Sequence, residues 1–304
     1  MPKILVSDSI SDAAIELLEA SGVDFTYEPE IAADELAGKI SDYDGLIVRS
    51  RTKVTKEIIE RADKLRVVGR AGVGLDNIDV ESARQKGIQV LNTANALTNA
   101  VAEFTIAIML VLSRKITLAD SSMRQGRWIK NELFGSELKG KTYGTIGIGR
   151  IGARVAELAF AFGMKTMAND VIPVPESLIE KLGVKVSTQE EIFATADYVD
   201  LHVPLTKETT YLVNYDKLSL MKKNAYLINT SRGKVLNEKD LIRALDEGKL
   251  AGAALDVFET EPLSRVELQR SEKVVLTPHI AGQTDEAQNE SGRQIVEEVL
   301  RIIK

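Results

Sequence analysis

The run Gly147-Ile148-Gly149-Arg150-Ile151-Gly152 constrains this chain more than any other stretch, through what stands on either side of it. Upstream, residues 141–146 form a short apolar run with strand character. Downstream, Ala153, Val155, Ala156, Leu158, Ala159 and Phe160 repeat at helical spacing up to Gly163, a natural helix end. Strand, glycine turn and helix in that order form a dinucleotide-binding unit. Gly147 permits the tight turn, Gly149 lets backbone approach phosphate oxygens, and Gly152 lets helix and strand pack closely. Free N–H groups and the positive end of the helix then meet the pyrophosphate. A second strand, 164–169, leads to Asp170, which lies 18 residues beyond Gly152. An acid there accepts hydrogen bonds from an adenosine ribose and repels a 2′-phosphate, so NAD is expected over NADP.

A chain of 304 residues exceeds one ordinary core, and two domains are expected. The net charge of −6 argues against nucleic acid as the main partner while leaving room for a local basic patch. With no cysteine, thiolate nucleophiles, disulfides and zinc–cysteine sites are excluded, and His202 and His279 alone make a multi-histidine metal site unexpected. No metal is expected. The opening residues read as a strand, and the longest apolar run, 104–112, is far below the ~20 residues that span a bilayer. The expectation is a soluble, cytoplasmic protein without membrane contact.

From the start, apolar strands alternate with amphipathic helices through residue 91, which predicts a doubly wound α/β domain preceding the glycine motif. Between Asn95 and Gln125 the pattern becomes one long apolar helix, followed at 126–140 by an irregular arm carrying Trp128, Leu133 and Phe134. Such a helix belongs either in a domain core or at a subunit interface. After the glycine turn the alternation resumes, with Ser187 and Glu190 reading as a capping box. The last strand, 274–276, and helix 285–303 have no place in a six-strand nucleotide domain and are expected to return to the first domain. The domain bounds drawn are 1–95 completed by 277–304, and 96–276 including a dimerisation helix and arm over 96–140, which leave strand 274–276 at the junction. Substrate is expected at the carboxyl ends of the two sheets.

Three ionisable residues follow strand ends in the second half: Arg232, Glu261 and His279. Oxidising a 2-hydroxy acid requires an acceptor for the hydroxyl proton, a cation for the carboxylate and a group that tunes the acceptor. His279 suits the base, Arg232 the bidentate anchor and Glu261 the partner of the imidazole. His202, placed inside an apolar strand, is the competing base and reads as structural. In the first half, the glycines of Gly69-Arg70-Ala71-Gly72-Val73-Gly74 could offer N–H groups as a nest for an anion, and Arg49 and Arg51 are placed to meet a second anionic group.

Taken in order, residues 67–79, 147–152, Asn229-Thr230-Ser231-Arg232-Gly233, Asp256-Val257-Phe258 with Glu261-Pro262, and Thr277-Pro278-His279-Ile280-Ala281-Gly282 resemble the NAD-dependent D-2-hydroxyacid dehydrogenases over nearly the whole chain. The resemblance implies a Rossmann-type nucleotide domain inserted into a flavodoxin-like substrate domain, and a catalytic set of Arg232, Glu261 and His279. It implies NAD contacts from Val73, Gly147, Gly149, Arg150, Ile151, Gly152, Asp170, Val203, Thr230, Ser231, Asp256, Ala281 and Gly282. It implies oxidation of 3-phosphoglycerate to 3-phosphohydroxypyruvate, the first step of L-serine biosynthesis, with substrate held by Arg49, Arg70, Ala71, Gly72 and Lys130. Lys130 stands where an arginine is expected, and lysine cannot bind phosphate bidentately. A homo-oligomer, with a dimer favoured, is implied through the long helix and arm. Many relatives continue into a serine-binding regulatory domain, so inhibition by serine is not expected of a chain ending at Lys304. Two rival readings remain: another acid of the same class, as for a glyoxylate/hydroxypyruvate reductase or a D-lactate dehydrogenase, and an NADH-sensing, corepressor-like interaction protein. The charge of Arg49, Arg51, Arg70 and Lys130 weighs against the first.

Overall fold

A computed structural model describes residues 2–304. The chain divides into two compact units, one formed by residues 1–98 and 282–304 and the other by 99–281.

The first unit holds β1 (Lys3–Val6), β2 (Asp24–Tyr27), β3 (Gly45–Val48), β4 (Val67–Arg70) and β5 (Gln89–Asn92). All pair in parallel in the order β2-β1-β3-β4-β5, the flavodoxin-like arrangement. β3 and β4 are buried along their whole length, as the centre of a sheet covered on both faces must be. One cover comes from the far end of the chain: helix Asp285–Ile303 buries Ile295, Val296, Val299 and Ile303 against Ile4, Val6, Ile47 and Val67. At ~1.5–3 kcal/mol for each fully buried aliphatic side chain, that face anchors the returning helix. Gly69 makes room for it, since a Cβ there would lie 2.7 Å from Val299 Cγ2.

The second unit holds β6 (Thr142–Ile146), β7 (Lys165–Asn169), β8 (Lys185–Val186), β9 (Tyr198–Leu201), β10 (Tyr226–Asn229), β11 (Gly252–Leu255) and β12 (Val274–Leu276). They form one parallel sheet in the order β12-β11-β10-β9-β6-β7-β8. The order reverses between β6 and β9, which is where a Rossmann-type sheet opens a crevice at its carboxyl edge. Helix Arg150–Ala161 packs on one face through Val155, Ala156 and Ala159, joined there by Ala102, Ile106 and Met109 of helix Thr98–Arg114.

Three expectations are corrected. β12 does not return to the first unit: it pairs with β11 as a seventh strand, Ala254 opposite Val275, and only the helix beyond it crosses back. The long helix is two helices, Thr98–Arg114 and Ile116–Arg124, separated at Lys115, whose φ of 53° is left-handed and cannot continue a right-handed helix. The cap before helix Gln189–Thr195 is Thr188, which accepts the Glu191 N–H, so the cap lies one residue beyond Ser187. Among the described residues no helix is long and apolar enough to cross a membrane.

Candidate active site

The glycine turn follows β6 directly. Gly147 has a φ of 95°, and a Cβ there would lie 2.4 Å from the His202 carbonyl oxygen, so both backbone angle and space require glycine. Its N–H donates to Asn169 O at 2.8 Å and its carbonyl accepts the Thr145 hydroxyl at 2.9 Å, which pins the turn to β6 and β7. A Cβ on Gly152 would lie 2.2 Å from that same Gly147 carbonyl. Gly149, by contrast, has nothing within 4 Å of where a Cβ would be. It stands at the start of helix Arg150–Ala161 with open space before it, as a site for a pyrophosphate needs. Arg150 is exposed and Ile151 half-buried in the first turn. Asp170, half-buried beyond β7, accepts the Ile148 N–H at 2.7 Å and the Ile172 N–H at 3.2 Å, so its carboxylate is fixed beside the turn.

The other residues expected at the cofactor are divided between the two units. Val203 has a methyl group 3.0 Å from the position a Gly147 Cβ would take. Thr230 and Ser231 follow β10 and are nearly buried; the Ser231 N–H and hydroxyl both donate to Asn229 Oδ1, and the Thr230 hydroxyl lies 3.3 Å from that of Thr105. Ala281 is buried in the second unit. Val73 and Gly282 belong to the first unit, where Asn92 Nδ2 donates to the Val73 carbonyl and Gly282 faces Leu97.

Asp256, expected among the cofactor contacts, is bound into the loop that carries His279. It has no exposed surface, and its oxygens accept the Thr277 hydroxyl at 2.6 Å, the Ile280 N–H at 2.9 Å and the Ala281 N–H at 2.9 Å. Its own carbonyl accepts the His279 N–H at 2.9 Å. Burial leaves this carboxylate to shape the loop that carries His279. That loop is strained, because His279 has a φ of 55°, a conformation that costs a non-glycine residue about 1–3 kcal/mol.

The strained histidine meets Glu261. His279 Nδ1 lies 2.9 Å from Glu261 Oε2, and the Phe258 N–H donates to Glu261 Oε1 at 3.2 Å. Both side chains remain about two-fifths exposed, at 44% and 40%, and thus open to a ligand. Burial, the largest single influence, pushes the Glu261 carboxyl up; the His279 hydrogen bond and charge, the Phe258 N–H and the Arg232 guanidinium outweigh it and hold the group below its ordinary value. Arg232 follows β10, half-buried, with Nη1 donating to the Ser231 carbonyl at 2.7 Å and its own carbonyl accepting Asn229 Nδ2 at 3.0 Å. Arg232, Glu261 and His279 are thus brought together in one unit. With Nδ1 on the glutamate, Nε2 of His279 is the nitrogen able to exchange a proton with a ligand. His202 is not its rival: it lies one residue past β9, its side chain only 3% exposed, with Nε2 2.6 Å from the buried Asp200 carboxylate, which accepts the Tyr143 hydroxyl.

In the first unit the cationic residues divide. Arg51 is engaged by buried Asp8, Nε to Oδ1 at 3.2 Å, and by the carbonyls of Ile31 and Ser7, so it is structural and not a second anion contact. Arg49 donates Nη1 to the Ser9 carbonyl at 3.2 Å, and burial lowers its guanidinium pKa against the pull of Asp8. A desolvated cation of this kind is stabilised by an arriving anion. Arg70 ends β4, is 7% exposed, and donates Nε to the Arg49 carbonyl at 3.2 Å. The nest is corrected in part: the Ala71 N–H is bonded to Val48 O and the Gly72 N–H to Thr93 Oγ1, both at 2.9 Å, which removes those two donors from any anion. Lys130 lies exposed in the arm of the second unit.

A glycine turn between strand and helix, followed by an arginine, a glutamate and a histidine after successive strand ends, is an arrangement that nucleotide-dependent hydride transfer can use. The profile of the family described as D-isomer specific 2-hydroxyacid dehydrogenase, NAD binding domain, matches residues 106–281. The chain belongs to that family, and its second unit carries the family's NAD-binding domain. It is 44% identical over 309 residues to the D-3-phosphoglycerate dehydrogenase of Methanocaldococcus jannaschii, covering 100% of this chain and 58% of that protein. It is 42% identical over 302 residues to the D-3-phosphoglycerate dehydrogenase of Sus scrofa, covering 99% and 56%. The chain thus spans little more than half the length of these relatives. Among solved structures, a glyoxylate reductase from Paecilomyes thermophila superposes with a TM-score of 0.92 at 28% identity, covering 100% of this chain and 95% of that one.

Proposed function

We propose that this chain oxidises D-3-phosphoglycerate to 3-phosphohydroxypyruvate with NAD, the first step of L-serine biosynthesis. The observation that carries the reading is the exposed His279–Glu261 pair with Arg232 beside it. Arg232 holds the substrate carboxylate and polarises the carbonyl that forms. His279 Nε2 takes the hydroxyl proton, and Glu261, in contact with Nδ1, orients the ring for that transfer. The nicotinamide, when bound, supplies the hydride acceptor. The open space before Gly149 fits the pyrophosphate, and Asp170 beside the turn fits an adenosine ribose and disfavours a 2′-phosphate.

Arg49 and Arg70, desolvated at the carboxyl ends of β3 and β4, supply charge beyond what one carboxylate requires, which favours a phosphorylated acid. Lys130 adds a weaker, point-like contact. Exposed Ile116, Met123, Trp128 and Phe134 on helix Ile116–Arg124 and the arm support a homodimer formed through that segment.

The test is NADH formation by purified protein with NAD and equal concentrations of D-3-phosphoglycerate, D-glycerate or D-lactate, with the product trapped. Preference for the phosphorylated acid supports the reading. Equal or faster turnover of an unphosphorylated acid would move the chain to the chemistry named for its glyoxylate reductase neighbour, and no turnover with any would leave a nucleotide-sensing role.

A further inference from the structure

Arg232 and Glu261 sit on different loops, after β10 and β11, and something must fix their separation. Gly233, next to Arg232, has no space for a side chain: a Cβ would lie 1.9 Å from the Phe258 carbonyl carbon and oxygen and 2.5 Å from Glu259 N. The two loops therefore touch backbone to backbone at residues adjoining the reactive pair. Just beyond that contact, Glu238 and Glu259 exchange hydrogen bonds: the Glu238 N–H donates to Glu259 Oε1 at 2.8 Å and the Glu259 N–H to Glu238 Oε1 at 2.7 Å. Arg265 closes the arrangement, with Nε donating to Glu238 Oε2 at 2.7 Å and Nη2 to Glu259 Oε2 at 3.2 Å. Glu238 is 4% exposed, Glu259 17% and Arg265 23%. Removing the arginine would leave two carboxylates facing each other in a largely desolvated site, which forces them apart.

We propose that Arg265, Glu238 and Glu259 are positioning residues, a charged clasp that locks the Glu261 loop to the Arg232 loop and so sets the Glu261–His279 contact. The proposal rests on the reading that Glu261 serves the reaction through His279. A displacement near 1 Å at a reacting group lowers turnover by up to ~100-fold.

The experiment measures kcat, the KM for the 2-hydroxy acid that turns over fastest, and the NAD dissociation constant for Arg265→Met in the parent and in a Glu261→Gln background. The expected result is a fall in kcat of about 10- to 100-fold with NAD affinity within about twofold, partial recovery in Arg265→Lys, and no further fall when Glu261 is already Gln. The same loss in both backgrounds, or an unchanged kcat, overturns the clasp. Should Arg265→Met fail to fold, Glu259→Gln keeps an acceptor for the Glu238 N–H while removing the charge, and is expected to repeat the pattern at smaller size; the same two results would overturn it. If Glu261→Gln alone has parental kcat, the underlying reading of Glu261 fails and the clasp falls with it; if it lowers kcat and Arg265→Met does not, only the clasp fails.

Discussion

Two alanine substitutions three residues apart separate what the glycine turn does for the fold from what it does for the cofactor. In Gly152→Ala the new Cβ would stand 2.2 Å from the Gly147 carbonyl oxygen, about 1 Å inside the ~3.3 Å at which carbon meets such an oxygen comfortably. Backbone faces backbone, so no rotamer relieves the contact and the helix must lift from β6. Overpacking of this kind costs about 1–3 kcal/mol, which for a unit of this size lowers Tm by roughly 3–10 °C. A helix start displaced by ~1 Å also loses register with the pyrophosphate, and NAD affinity falls by about 10- to 100-fold. In Gly149→Ala nothing lies within 4 Å, and φ of −66° with ψ of −162° suits any residue. Its Tm should stay within about 1–2 °C of the parent, well inside the change expected for a substitution away from packed groups. The methyl group instead occupies space the phosphates need, so affinity falls by roughly 5- to 150-fold. Calorimetric unfolding and NADH fluorescence titration on both proteins decide the matter. Equal destabilisation by the two substitutions, or parental NAD affinity in Gly149→Ala, would refute the division of roles.

Three further outcomes follow from the same geometry. His279→Ala should retain NADH affinity and lose turnover by about two to four orders of magnitude, as removal of a general base does; unchanged steady-state turnover would reassign the base. Because the folded Glu261 carboxyl lies below its ordinary value of 4.5, its ionised form adds stability above that pH and the contribution is lost as pH falls through the lower folded value. The Tm difference between the parent and Glu261→Gln should therefore be present at about pH 6 and shrink below pH 4.5, and a difference that grows on acidification would contradict the assignment. Arg51→Met leaves buried Asp8 without its ion pair and should lower Tm by an amount equivalent to about 1–3 kcal/mol, whereas Arg49→Met should raise the KM for the phosphorylated acid with a smaller change in Tm.

What could be read from the sequence was local. The 147–152 turn, Asp170 at its proper distance, and the run of chemistry-bearing residues at strand ends all depend on short spacings, and the structure places them as those spacings require. The misreadings share a different cause. Which sheet takes a parallel strand is decided by packing, so residues 274–276 gave no local sign of pairing with β11. Lys115 has no residue-type preference for the left-handed conformation that splits the helix. Arg49 and Arg51 look alike in sequence, and it is the side-chain ion pair with Asp8 and the carbonyls of Ile31 and Ser7, 20 or more residues away, that mark Arg51 as structural. The same holds for Glu238, Glu259 and Arg265, which meet with no motif to mark them.

The central claim is that the chain moves a hydride from carbon 2 of a 2-hydroxy acid to NAD, with His279 taking the proton. The most direct test is D-3-phosphoglycerate carrying deuterium at carbon 2, incubated with NAD and purified protein, with the reduced nucleotide analysed by mass spectrometry. The account predicts deuterium in the NADH formed by the parent and negligible labelled nucleotide from His279→Ala over the same time. Deuterium released to water, or labelled NADH formed equally well without His279, would contradict it.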